Sequence, residues 1–358
     1  MTSQHVQPII HEAERGAAHD GLARQDDDRG ASSRKRVRFT AQSWATISIF
    51  AICALLIITS RWISPAFGGW GQLKAVLILS SFVMVAAFGQ GLVILLGGLD
   101  LSVASVCTLS GVLTFSWVGD SGIALLWGIP LVLLITASVG AANGIGVALL
   151  RVPAFIMTLA SGIIVYSLCL GFTGGTPRGL SSPILSAIYT DSIGGIPVII
   201  LLMVLAAIIG SVIQGKTVFG RKLYAVGANE TAAHIAGIPV RRFTIAAYAI
   251  AGACSGLAGI MMVGYAGGAT LTMGQPYLLP SIAAVVVGGA SILGGRGTYL
   301  GTVGGAILLT TISTIISALQ MPEGWRTVIY GGVILLALIF MREDLFVAVK
   351  RRSGAPRR

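Results

Sequence analysis

Between Trp44 and Met341 the chain runs through one apolar stretch after another, each close to the length of a membrane-spanning helix, with hardly a charge inside any of them. A bilayer's hydrocarbon core is about 30 Å thick and takes about 20 helical residues to cross. Only 10% of the 358 residues are charged and 55% are hydrophobic, whereas about a quarter of a soluble domain is charged. Glu12, Glu14, Asp20, Asp26, Asp27 and Asp28 all lie ahead of the first apolar run, which leaves few acids for the rest. The chain therefore reads as an all-α polytopic membrane protein embedded in lipid.

Cutting at polar, Gly and Pro punctuation predicts spans near 44–60, 73–97, 100–118, 122–150, 153–173, 195–214, 244–266, 277–293, 298–319 and 325–341, about ten in all. The 122–150 stretch is too long for one upright crossing, so it tilts or extends past the bilayer. An even count puts both termini on one side. Arg34, Lys35, Arg36, Arg38, Arg151, Lys216, Arg221, Lys222, Arg241, Arg242, Arg296, Arg342 and the Lys350–Arg352 cluster then share that side, and Arg61, Lys74, Arg178 and Arg326 the other. The positive-inside bias makes the crowded side cytosolic.

Residues 1–43 are polar and mixed in charge and read as a disordered cytosolic tail. Residues 342–358 form a second, basic tail, and the membrane domain would be 44–341. Some forty polar residues precede the first apolar run, which is not the layout of a cleaved signal peptide, so that run stays as an anchor. The net charge of +11 does not point to nucleic acid, because the basic residues flank apolar runs and are not interleaved with aromatics. Cys53, Cys107, Cys169 and Cys254 each fall inside an apolar run and read as small core residues. No metal-ligand spacing is present.

Asp100, in Leu95–Ser105 (LLGGLDLSVAS), is an acid among apolar residues. In one reading Gly97–Gly98 ends a helix and Asp100 caps the amides that open the next. In the other, Asp100 and Ser102 also border a protein-lined gap, since irregular backbone at membrane depth is tolerated only where it is buried or beside water. Asn143 poses a similar choice between glue holding helices together and a contact for a polar solute. Gly140/Gly144, Gly252/Gly256 and Gly301/Gly305 are small-xxx-small pairs that let helix backbones approach closely.

The charge-rich connection 215–243 stands apart from the spans. Asn229 is a good N-cap, Glu230 suits the first-turn dipole and Gly237 is a natural stop, which predicts a short helix over 230–236. Ala232, Ala233 and Ala236 would share a face small enough to fit a partner's groove.

This connection, FGRKLYAVGANETAAHIAGI at 219–238, resembles the cytoplasmic coupling loop of the monosaccharide-type ABC transporter permeases, the membrane subunits of ribose and xylose importers. Three further stretches match in order: GGLDLSVAS at 97–105, NGIGVALLRVPAFIMTLA at 143–160 and GGASILGGRGTYLGTVGGAIL at 288–308. Leu99 and Ala104 depart mildly from the family's pattern. The resemblance implies that Gly220, Arg221, Asn229, Glu230, Ala232, Ala233, Gly237 and Ile238 couple the chain to a separate cytosolic ATP-binding subunit. It implies a second permease copy, an extracytoplasmic sugar-binding protein and a place in the bacterial inner membrane. Asp100, Ser102, Asn143, Gly294 and Gly295 become candidates for the substrate path or its gate. The resemblance does not say which sugar is carried.

Gly210–Thr217 (GSVIQGKT) matches the phosphate-loop pattern letter by letter, but that chemistry needs a strand before the loop and a carboxylate for magnesium. An apolar run precedes this match and no soluble nucleotide domain surrounds it, so ATP and Mg belong to the partner and the chain itself is a transport subunit with no catalytic set of its own. A proton- or sodium-coupled carrier is the rival class, and it would be expected to carry intramembrane acids or histidines as a relay.

Overall fold

The computed structural model describes residues 41–62, 68–119, 121–322 and 324–336. Residues 1–40 and 337–358, and with them nearly all of both expected tails, lie outside the described residues. The helices are α1 (Ala41–Ser60), α2 (Trp70–Leu95), α3 (Val103–Trp117), α4 (Gly122–Ala148), α5 (Ala154–Thr173), α6 (Pro183–Thr190), α7 (Val198–Lys216), α8 (Val218–Ala228), α9 (Glu230–Ile235), α10 (Val240–Ala266), α11 (Leu278–Val287), α12 (Tyr299–Ala318) and α13 (Gly324–Leu336). A two-residue hairpin pairs Ser192 with Pro197 between α6 and α7.

Among the described residues six helices, α2, α4, α5, α7, α10 and α12, are long and apolar enough to cross a membrane. At the other four expected spans the apolar helices are shorter, Thr46–Ser60 within α1, Val103–Trp117, Gln275–Val287 and Gly324–Leu336, so each of the ten expected positions carries an apolar helix and six of these helices have full crossing length. The expected 122–150 span is one 27-residue helix, with Pro130 inside it.

Two of the short helices have a shared cause. After α2 the backbone is irregular from Leu96 to Ser102 before α3 begins. After α10 the chain turns back inward until the Gly274 N–H donates to Thr108 Oγ1 of α3 at 3.2 Å. A 3-10 turn at Gln275–Tyr277 then opens the 10-residue α11. Both breaks lie inside protein, where side chains can take up the freed backbone groups.

Burial sorts the helices into an inner set and a shell. α2 is buried almost continuously from Ser80 to Leu95, and α10 packs against α2, α3 and α4. On α4, α5 and α7 the exposed residues are large and apolar, among them Leu126, Leu134, Ile163, Leu168, Leu205 and Ile208. Such an outer surface suits lipid and would be untenable in water at this extent.

The glycine pairs act as the sequence suggests. A Cβ on Gly140 would lie 2.1 Å from the Tyr248 carbonyl oxygen, and one on Gly252 would lie 2.3 Å from the Thr136 carbonyl oxygen, so α4 and α10 meet backbone to backbone. Gly301 and Gly305 bring α12 equally close to α11 at Gly288 and Ala284. All four cysteines are free thiols, three of them buried.

Candidate functional site

The first break in the helices is held by its own Asp100 and by polar side chains from three helices, α2, α4 and α5. Asp100 is 1% exposed, and its Oδ1 accepts from the Ser102 N–H at 2.9 Å and the Ser102 hydroxyl at 2.6 Å. Asn143 of α4 donates through Nδ2 to Ser102 Oγ at 3.0 Å. Thr158 of α5 accepts the Leu101 N–H at 3.0 Å and donates to the Ala154 carbonyl at 2.9 Å. Gln90 of α2, with its amide turned to satisfy both partners, donates to the Asp100 carbonyl at 3.1 Å and accepts the Asp100 N–H at 3.3 Å. Asn143 Oδ1 and the Tyr248 hydroxyl, which abuts Gly98, find no hydrogen-bond partner among the described residues.

This arrangement corrects one detail of the expected cap. Ser102 is the N-cap residue of α3, and its side chain makes no capping bond. Asp100 binds two residues on and braces the irregular segment instead. Gln90 and Thr158 were not singled out from the sequence. Gln90 carried a signal, as the one amide in the run from Ala75 to Leu96, but nothing linked it to Asp100 before the chain folded.

At one end of the bundle α8 and α9 form a helical pair, so the 215–243 connection is mostly helical. Thr217 Oγ1 accepts the Gly220 N–H at 3.1 Å, and Arg221 Nη1 donates to the Lys216 carbonyl at 2.9 Å. A Cβ on Gly220 would lie 1.9 Å from the Gln214 carbonyl oxygen. Gly220 and Arg221 thus fasten α8 to the end of α7.

Asn229 Oδ1 accepts the Ala232 N–H at 2.9 Å and opens α9 as expected. The helix stops at Gly237, whose φ of 79° is in the left-handed region, with the Gly237 N–H bonded to His234 and the Ile238 N–H to Ala233. That pair of bonds is a Schellman ending, with Ile238 and Ala233 in its accompanying apolar contact.

Ala233 requires a correction. It is 4% exposed and packs on Val226, Val240 and Ile238, so it anchors α9 to the bundle and is not presented to a partner. Ala232 and Ala236 are exposed, and so is Ile235, at 81%. A helix of six residues has no face of its own to choose; the neighbour that seals its end decides which side turns inward.

Gly294 and Gly295 sit in the turn between α11 and α12. The Gly295 N–H donates to the Leu95 carbonyl at 2.9 Å, and a Cβ on Gly227 of α8 would lie 1.7 Å from that same oxygen. Tyr224 of α8 donates its hydroxyl to the Gly297 carbonyl. Burial pushes this phenol above the ordinary tyrosine range, so it remains a proton donor at neutral pH. Gly294 and Gly295 therefore join α8 to the end of α2, just before the break that holds Asp100.

The phosphate-loop match occupies the last turns of α7, with Thr217 as the residue after it. A continuous helix turns its amides along its own axis and cannot wrap a phosphate as that loop does.

The family model described as the permease component of the branched-chain amino acid transport system matches residues 72–338. The chain belongs to this permease family. The permease is 34% identical over 296 residues to the ribose import permease protein RbsC of Haemophilus influenzae, covering 82% of this chain and 91% of that one. It is 33% identical over 316 residues to the inner membrane ABC transporter permease protein YjfF of Escherichia coli, covering 87% and 94%. It is 35% identical over 319 residues to the ribose import permease protein RbsC of Bacillus subtilis, covering 87% and 97%. No solved structure matches the chain. The permease is a multi-pass protein of the bacterial inner membrane.

The four sequence stretches that resemble the sugar permeases are far apart in the chain but adjacent in space. The 97–105 stretch is the break, 143–160 supplies Asn143 and Thr158 to it, 219–238 is the α8–α9 pair, and 288–308 contains the turn joining that pair to α2.

Proposed function

We propose that this permease is the membrane subunit of an ATP-driven importer and translocates a monosaccharide of the ribose or xylose kind. A separate cytosolic subunit hydrolyses ATP with Mg and docks on α8 and α9, whose end of the bundle faces the cytosol. The observation that carries this reading is the unbroken run of contacts from α8 through Tyr224 and Gly297, and through Gly227 and Leu95, to the helix break at Asp100. A push on α8 and α9 reaches that break through packed backbone, where side chains have little room to absorb it.

A second copy of the permease and an extracytoplasmic sugar-binding protein complete the assembly. A hydroxyl-rich sugar cannot cross lipid, so the path must replace its water with polar groups lying between helices. The permease contributes no catalytic step, and the free energy enters through the docked ATPase. An ion-coupled carrier is disfavoured because Asp100, the one buried charged side chain among the described residues, is engaged in bracing backbone.

The test is uptake into proteoliposomes that hold the permease with its ATPase, supplied with binding protein and radiolabelled D-ribose, D-xylose or D-galactose. Uptake that needs ATP and binding protein supports the reading. Uptake driven by a proton or sodium gradient without ATP would replace it.

A further inference from the structure

The end of the bundle opposite α8 and α9 carries a groove of about 280 Å³ between α2, α11, α12 and α13. One wall is a row of hydroxyls on α12, Thr310, Ser313, Thr314 and Ser317, at the i, i+3, i+4, i+7 spacing that places them on one helix face. Tyr277 and Tyr330 also line the groove. At the mouth, Arg326 donates to Ser317 Oγ. Thr314 and Ser317 donate back to the carbonyls of Thr310 and Ser313 at 2.8 and 2.9 Å, so their oxygens still have acceptor capacity to offer the groove.

Thr310 is the informative member of the row. It lines the groove at 6% exposure, and its Oγ1, almost closed to solvent, has no hydrogen-bond partner among the described residues. A buried hydroxyl without a partner is costly and calls for an occupant that supplies one.

The chemistry of the walls selects the ligand class. Among the described residues that line the groove there is no carboxylate for a cation, and the one guanidinium already donates to Ser317. Hydroxyls that both donate and accept, together with aromatic rings, suit a molecule with hydroxyls around its rim and C–H groups on its faces. The volume suits one small polar molecule, since drug-sized pockets run from about 300 to 1,000 Å³.

The floor of the groove, Pro276 and Tyr277, follows directly on Gly274, where a Cβ would lie 2.0 Å from the Ala104 carbonyl of α3. The groove thus runs from one end of the bundle down to the second helix break, which touches the helix that starts at the first.

We propose that this groove binds a monosaccharide and is the entry subsite of the import path, with Thr310 and Ser313 as specificity-determining hydroxyls. The assignment rests on the import function above. In the reconstituted complex, Ser313→Cys is labelled with a water-soluble thiol reagent, with and without the sugar that the complex imports from the D-ribose, D-xylose and D-galactose panel. The sugar is expected to slow labelling. Adding Thr310→Val, which removes the hydroxyl and keeps the shape, raises the sugar concentration needed for that protection about five-fold, and in the parent permease the same change lowers uptake about five-fold, the effect of losing one hydrogen bond of ordinary strength. Thr310→Ser restores both. If Thr310→Val fails to assemble, Ser313→Ala at the half-buried neighbour is read in the same uptake assay, and a wild-type rate counts against the groove. If the complex imports a sugar that gives no protection, or Ser313→Cys cannot be labelled, the groove assignment falls and the import reading stands. If the complex imports none of the panel, the import reading falls and takes the groove with it.

Discussion

The phenol of Tyr224 donates its hydrogen bond to the Gly297 carbonyl and ties α8 to the turn that leads into α12. This single contact crosses from the helical pair at the end of the bundle to its buried interior. Tyr224→Phe removes the donor and keeps the ring. It is expected to cost about 0.5–1.5 kcal/mol of stability, the net worth of an ordinary intramolecular hydrogen bond. Sugar carried per ATP hydrolysed should fall more than ATP hydrolysis itself, and a parallel fall in both would show that the contact serves stability alone.

Ile235 and Ala233 separate docking from folding. Ile235→Asp changes an exposed side chain, so membrane levels and melting temperature in detergent should match the parent while co-purification of the ATPase subunit is lost. Ala233→Arg forces a long cation into the contact with Val226 and Val240, and the protein should be destabilised in the absence of any partner. Normal stability of Ala233→Arg would contradict the burial described above.

Asp100→Asn keeps an oxygen for the Ser102 N–H and hydroxyl, and places an amide nitrogen where the second carboxylate oxygen lay. Expression and stability should remain near normal, with uptake reduced in part. Asp100→Ala leaves Ser102 without its acceptor in a buried site, which costs about 1–3 kcal/mol. The comparison is made by thermal unfolding in detergent alongside uptake. Equal stability of the two variants would show that the carboxylate does not brace the break.

Glycine substitutions should divide by location. Gly140→Ala places a methyl group against the Tyr248 carbonyl and should destabilise the α4–α10 contact by about 1–3 kcal/mol, the usual cost of overpacking. Gly171→Ala, which meets nothing within 4 Å, should be neutral or stabilise α5 by up to about 1 kcal/mol through helix propensity. Melting temperatures of the two variants in the same detergent decide the point.

The properties legible in the sequence depend on a residue and its near neighbours. Apolar run length determines that helices cross lipid, because backbone hydrogen bonds have no other partner there. Asn229 and Gly237 determine where α9 begins and ends, because capping is settled within a turn of the chain. The small-xxx-small pairs mark close helix approach because the absence of a Cβ is a property of the residue itself.

What depended on partners distant in the chain was decided only by the tertiary structure. Full-length and shorter apolar helices have similar composition, and the bond from Gly274 to Thr108 that seats the start of α11 against α3 joins residues far apart in the chain. The inward turn of Ala233 follows from Val226 and Val240, and the recruitment of Gln90 and Thr158 to the Asp100 segment follows from helices that come together only on folding. In spans where most side chains are apolar, hydrophobicity cannot say which face turns inward. That choice is made by packing and by the few buried polar groups that must each find a partner.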